Sequence, residues 1–101
     1  MTAIRWSEIA VSDLVGIKEY ISRDSALLAH TVVTRLYNAV SQLEAFPESG
    51  REVPERADPH LRELVRPPYR IVYEVSHDTV NVLTIFHSAR LFPDTLDRVA
   101  R

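Results

Sequence analysis

The stretch Tyr69-Arg-Ile-Val-Tyr-Glu-Val-Ser76, broken by His77-Asp78 and resumed by Thr79-Val-Asn-Val-Leu-Thr-Ile-Phe86, decides how this chain folds. Two runs rich in β-branched and aromatic residues around a two-residue polar break predict a β-hairpin. The break is His-Asp and not Asn-Gly or Asp-Gly, so its register rests on the strand pattern and not on turn chemistry. With His77 and Asp78 as the loop, Ser76 faces Thr79, Val75 faces Val80, Tyr73 faces Val82, Ile71 faces Thr84 and Tyr69 faces Phe86. Because side chains alternate along a strand, these pairs share one mostly apolar face. The opposite, more open face then carries Glu74 with Asn81, Val72 with Leu83 and Arg70 with Ile85, with His87 diagonal to Arg70. Arg90 follows where the strand pattern stops, and a guanidinium there folds back toward the same place. The expectation is that Arg70, His87 and Arg90 gather on one accessible patch.

Working outward, Ala3-Ile-Arg-Trp6 is an extended segment ended by Ser7, a suitable N-cap for a helix. Ala10, Leu14, Ile17 and Ile21 then recur at the spacing of one helical face, while Glu8, Asp13, Lys18 and Glu19 take other angles. Gly16 weakens that helix by about 1 kcal/mol relative to alanine. Ser22-Arg-Asp-Ser25 is a tight connection in which Ser25 or Asp24 caps the next helix. That helix carries Ala29, Val33, Leu36, Val40 and Leu43 in one stripe, flanked by Leu28, Val32 and Phe46, and should stop at Phe46 because Pro47 follows. So short a connection makes the two helices an antiparallel αα-hairpin that covers one face of a small sheet. Residues 47–59 read as a proline-bearing loop and Leu61–Arg66 as a further strand, with Pro67-Pro68 outside any central ladder. The fold class is α+β, in the order β-α-α-β-β-β, with a helical or frayed tail over residues 91–101.

At 101 residues the chain supports one domain, spanning 1–101, and one modest core. A formal charge of −2 argues against a general nucleic-acid coat. The basic residues are eleven arginines and one lysine, Lys18. Five arginines lie between Arg51 and Arg70, interleaved with Glu52, Glu55, Asp58 and Glu63, which suits specific forked contacts better than a long-range field. The many glutamates read as solvated surface. No cysteine is present, which excludes disulfides and thiolate metal sites, and no leader or 18-residue apolar span is legible, so the expected location is the cytoplasm and not a membrane. His30, His60, His77 and His87 lack paired metal-ligand spacing, so no metal is expected. Two glycines leave no Gly-rich phosphate loop, so no cofactor is expected either.

Leu61-Arg-Glu-Leu, Tyr69-Arg-Ile-Val-Tyr-Glu-Val and His87-Ser-Ala-Arg90, preceded by Phe46-Pro-Glu-Ser-Gly-Arg51, Ile4-Arg-Trp-Ser, Asp13-Leu14 and Tyr20-Ile21, resemble the RelE/ParE family of type II toxin–antitoxin toxins over nearly the whole chain. The resemblance implies a small α+β toxin and a cognate antitoxin that wraps and neutralises it and carries the pair to operator DNA. It also implies one of two targets. RelE-like members cut messenger RNA in the ribosomal A site, and ParE-like members block DNA gyrase without acting as nucleases. Arg70 and Arg90 match positions where RelE-like toxins hold phosphate, and Arg62 lies near where those toxins carry lysines. A base at the family's C-terminal tyrosine is missing, Leu96 standing at about that position, so a nuclease would need His87 instead. The ParE-like branch is therefore favoured, with Arg62, Arg70, His87 and Arg90 at the target-binding surface; in the nuclease alternative Arg70, His87 and Arg90 are catalytic. A third reading is an inactive relative that acts only in operon regulation. Leu28, Val32 and Phe46, beyond what one small sheet covers, are expected to meet the antitoxin.

Overall fold

The computed structural model describes residues 2–90 and 92–93. Strand β1 (Ala3–Trp6) leads through Ser7 into helix α1 (Glu8–Ser22). The Ser7 hydroxyl accepts the Ala10 amide at 3.0 Å, the expected cap. Ser25, not Asp24, caps helix α2 (Ala26–Ser41), accepting the Leu28 amide at 3.0 Å. That helix tightens into a 3-10 turn at Gln42–Glu44, just short of Phe46-Pro47. After it come β2 (Arg51–Glu52), β3 (Leu61–Arg66), β4 (Tyr69–Ser76) and β5 (Thr79–His87). The two-residue β2 falls inside the stretch expected to be loop.

The strands form one sheet in the order β1-β5-β4-β3-β2, in which β1 runs parallel to β5 and the other neighbours are antiparallel. The helical hairpin lies on one face. There Ala10, Leu36, Ala39, Val40 and Leu43 meet Leu64, Ile71, Tyr73, Val80, Val82 and Ile85, with Leu14 and Ile17 packed alongside. Both apolar stripes thus enter the core, and Trp6 stacks on Tyr37 at 6.1 Å to tie β1 to α2.

The hairpin register holds from Ser76 to Tyr73 and then slips. Tyr73 opposes Val82, but Val72 opposes Thr84, so Leu83 is an extra residue in β5, a β-bulge. Beyond it Ile71 opposes Ile85, not Thr84. Arg70 opposes Phe86, not Ile85, and Tyr69 opposes His87, not Phe86. One inserted residue moves every later side chain of β5 to the other face. The face expected to be open is also covered: Val53, Leu61, Val72, Leu83 and Phe86 form a second apolar cluster there, joined by Phe92.

The loop after α2 is held by Gly50. Its amide donates to the buried Tyr73 hydroxyl at 2.9 Å, and burial pushes that phenol above its ordinary pKa. A methyl group at Gly50 would lie 2.6 Å from both the Glu63 carbonyl oxygen and the Tyr73 hydroxyl, so this close approach admits only glycine.

Candidate functional site

The bulge separates the three residues expected to converge. Arg70 points to the second apolar cluster and is 8% exposed. Its Nε donates to Glu63 at 2.6 Å, and its two terminal nitrogens grip both oxygens of Glu55 at 2.8 and 2.7 Å. Glu63 is 1% exposed and takes a second bond from Arg51 Nε at 2.6 Å. The Arg70 guanidinium also lies over Phe86 at 5.1 Å and Phe92 at 5.6 Å, and Arg56 covers Phe92 at 5.2 Å. Such forked, charge-assisted bonds favour both ionised forms. The hydrogen bonds from Arg70 hold the Glu55 carboxyl below its ordinary range, and Glu55 in turn raises the guanidinium above its own. Glu63 was expected at the solvated surface; it is instead a buried carboxylate with two arginine partners.

His87 and Arg90 lie on the helical side, where α1 diverges from the end of β5. They line an open cleft of about 570 Å³ together with Ser12, Asp13, Gly16, Ile17, Tyr20, Tyr69, Ile85 and Phe86. The His87 ring meets Tyr69 edge-on at 5.8 Å, and its Nδ1 accepts the Ala89 amide at 3.0 Å. That acceptor role leaves the proton of the neutral imidazole on Nε2. The turn behind it is fixed by Arg90 N donating to the His87 carbonyl at 3.0 Å and Ser88 N to the Pro68 carbonyl at 2.8 Å.

Two side chains, the N-cap Ser7 and Asp13 of α1, hold the part of β5 that leads to the cleft, a role beyond the cap expected of Ser7. Past Trp6 the chain leaves the sheet, and α1 supplies the partners that β1 no longer can. Ser7 donates to the Leu83 carbonyl at 2.8 Å, while Asp13 Oδ2 accepts the Thr84 hydroxyl at 2.6 Å and the Ile85 amide at 2.9 Å. Both clasp the bulge. Asp13, expected at another angle of α1, instead borders the apolar stripe, three residues after Ala10 and four before Ile17, where a carboxylate needs a buried partner. Arg62 is also outside the cleft; it donates to the Gly50 carbonyl at 2.8 Å and lies 3.8 Å from Glu48. Among the expected antitoxin contacts, Leu28 is 53% and Phe46 67% exposed, while Val32 packs partly into the core. The helical or frayed tail expected over 91–101, including Leu96, lies outside the described residues apart from Phe92 and Pro93.

Among the described residues no group of three or more histidines and carboxylates is placed to hold a metal ion, and no helix is long and apolar enough to cross a membrane. A family model for the ParE toxin of type II toxin–antitoxin systems matches residues 4–92. The chain belongs to the ParE toxin family. This toxin is 40% identical over 92 residues to toxin RelE2 of Caulobacter vibrioides, a match covering 90% of this chain and all of that one. It is likewise 40% identical over 95 residues to a putative toxin of Sinorhizobium fredii, covering 92% and 95% of the two chains. In fold it is similar to a chain of the chromosomal ParDE system from P. aeruginosa, with a TM-score of 0.70, 23% identity and 86% and 96% of the chains covered. A chain of the RelBE2 toxin–antitoxin complex from Mycobacterium tuberculosis follows at a TM-score of 0.55 and 20% identity, with 88% and 93% covered. The α+β toxin fold and the RelE/ParE kinship expected of the sequence are therefore both found.

Proposed function

We propose that this toxin arrests growth by binding DNA gyrase, without cutting RNA, and that a cognate antitoxin neutralises it. The observation that carries the reading is the position of Arg70. A phosphate-holding arginine must share a face with the base and with its partner cation. Arg70 is committed to Glu55 and Glu63 on one face of the sheet, and His87 and Arg90 stand on the other. His87 adds to this: with Nδ1 occupied by the Ala89 amide, its outward nitrogen is a donor, where a general base needs an acceptor. The target-binding role thus falls to His87 and Arg90 in the cleft, and Arg62 and Arg70 become supports of the scaffold.

The second reading, a ribosome-dependent endoribonuclease, is supported by His87 and Arg90 lining one cleft and by the 40% identity to toxin RelE2. Purified toxin in a gyrase supercoiling assay, run beside primer extension on translated messenger RNA, separates the two. Lost supercoiling with intact message supports the proposal, and codon-positioned cleavage that vanishes in His87→Ala defeats it. Silence in both assays, with no growth arrest on expression, points to a relative kept for operon regulation. For the antitoxin, the exposed Leu27 and Leu28 at the start of α2 and Phe46 past its end offer two separate apolar anchor points, reaching 77% exposure at Leu27. The antitoxin would also carry the pair to operator DNA. These partners place the toxin's action in the cytoplasm.

A further inference from the structure

The cleft beside His87 has a chemistry of its own, and Gly16 is its most telling residue. A glycine in the middle of α1 weakens the helix, and neither a turn nor a close approach requires it: a Cβ built there meets nothing within 4 Å. What the missing side chain leaves is open floor. Ile17 and Tyr69 flank that floor, and Tyr20 stands at the lip with 68% of its surface in water. At about 570 Å³ the space falls within the range of seats that bury most of a small ligand, roughly 300–1,000 Å³. The polar groups left to meet a ligand are donors. Arg90 is the cation among the described lining residues, His87 adds a neutral Nε2–H donor beside it, and just outside the lining the Arg23 guanidinium lies over the Tyr20 ring at 5.8 Å. The single carboxylate among the described lining residues, Asp13, has its Oδ2 turned to Thr84 and Ile85.

We propose that this cleft is a docking seat for an acidic peptide segment of the toxin's target, taking one bulky apolar side chain over Gly16 and a neighbouring carboxylate on Arg90. The apolar walls would bury the anchor, and the forked guanidinium would fix its orientation. The inference deepens the target-binding reading and rests on it for the identity of the partner, while the seat stands on the geometry alone.

The test uses the full-length toxin, 15N-labelled, titrated with the blocked peptide Glu-Glu-Trp-Glu and its neutral counterpart Gln-Gln-Trp-Gln. The acidic peptide should shift the amides of Gly16, Ile17 and His87 and bind about fivefold tighter than the neutral one, the gain expected of one exposed charge pair. Arg90→Gln should erase that preference. Gly16→Leu should abolish binding by filling the floor, and Gly16→Ala, which strengthens the helix equally without filling it, should retain binding. The proposal is overturned if the acidic peptide leaves the cleft amides unmoved, if Gly16→Leu binds as the parent does, or if a short single-stranded oligonucleotide shifts those amides and the peptide does not. A supercoiling assay on Gly16→Leu keeps the two readings apart. If that variant has lost the peptide yet still inhibits gyrase, the seat survives and gyrase is not its partner.

Discussion

Replacing Arg70 by alanine should cost the toxin its fold before any activity, and the size of the loss follows from what remains. Glu63, whose side chain is fully buried, would keep only Arg51. Breaking a buried pair by removing one partner costs about 3–5 kcal/mol, because the surviving charge stays desolvated. Glu55, with 40% of its side chain exposed, rehydrates and adds little. The Phe86 ring loses its cation as well, while Phe92 keeps Arg56. For a domain of this size each kcal/mol moves the melting temperature by about 4–8 °C, so Arg70→Ala should melt at least about 12 °C below the parent. Circular dichroism melts and urea titrations measure this directly. The double variant Glu63→Met with Arg70→Met removes both buried charges and should recover most of the loss. A variant Arg70→Ala that melts within about 2 °C of the parent yet no longer arrests growth would refute the reasoning and return this arginine to the functional surface.

Gly50→Ala should destabilise by about 1–3 kcal/mol through the clash with Glu63 and Tyr73, and Tyr73→Phe in that background should relieve part of it, as read from urea midpoints. His77 turns the hairpin at φ 51, a left-handed conformation costly for any residue with a Cβ, so His77→Gly should raise stability by up to about 1 kcal/mol in the same titration. Burial, with Asp58 nearby, raises the Glu74 pKa above its ordinary value. Its folded form therefore binds the proton more tightly, and this group adds stability as pH falls from neutral through the raised pKa toward the ordinary one. Glu74→Gln should gain stability at pH 7 and lose that advantage in acid. Glu55 has the opposite sign: its pKa is lowered, so its contribution is present above the ordinary value and fades as pH falls through the depressed one, and Glu55→Gln should flatten the acid limb of a melt series. Asp13→Ala should leave the Ile85 amide and Thr84 hydroxyl without their acceptor at a cost of about 1–3 kcal/mol, with the Tyr69–His87 ring contact weakened in NMR spectra and Asp13→Asn largely restoring both.

Most of the architecture was legible because it follows from period and punctuation. Ala10, Leu14 and Ile17 on one helix and Leu36, Val40 and Leu43 on the next repeat at helical spacing, and Ser7 and Ser25 cap where a serine precedes such a run. Strand β2 was not legible, since two charged residues carry no alternation and pair only because Gly50 brings them against β3. The Arg70 network was hidden for a different reason. Arginine and glutamate on strands are ordinarily surface residues, and only pairing makes their burial tolerable. The sequence displays the charges without saying that Glu55, fifteen residues before Arg70, returns to meet it.

The bulge is the deeper case, because the site depends on it. Register is pinned by alternation when one face of a strand is wet and the other dry. Strand β5 is dry on both: Val80, Val82 and Ile85 enter the helical core while Leu83 and Phe86 enter the second cluster. A strand buried on both faces reads as a near-continuous apolar run, and an extra residue inside Val82-Leu-Thr-Ile85 leaves no mark on its pattern. What selects the bulged register lies elsewhere in the chain, in Ser7 and Asp13, which supply a donor for Leu83 and acceptors for Thr84 and Ile85. A carboxylate on the first helix thereby determines that His87 faces Tyr69 and Arg90 across the sheet from Arg70. The same carboxylate, far from any reacting group in sequence, separates a scaffold that could hold a phosphate beside an imidazole from one that presents the imidazole and Arg90 in a cleft.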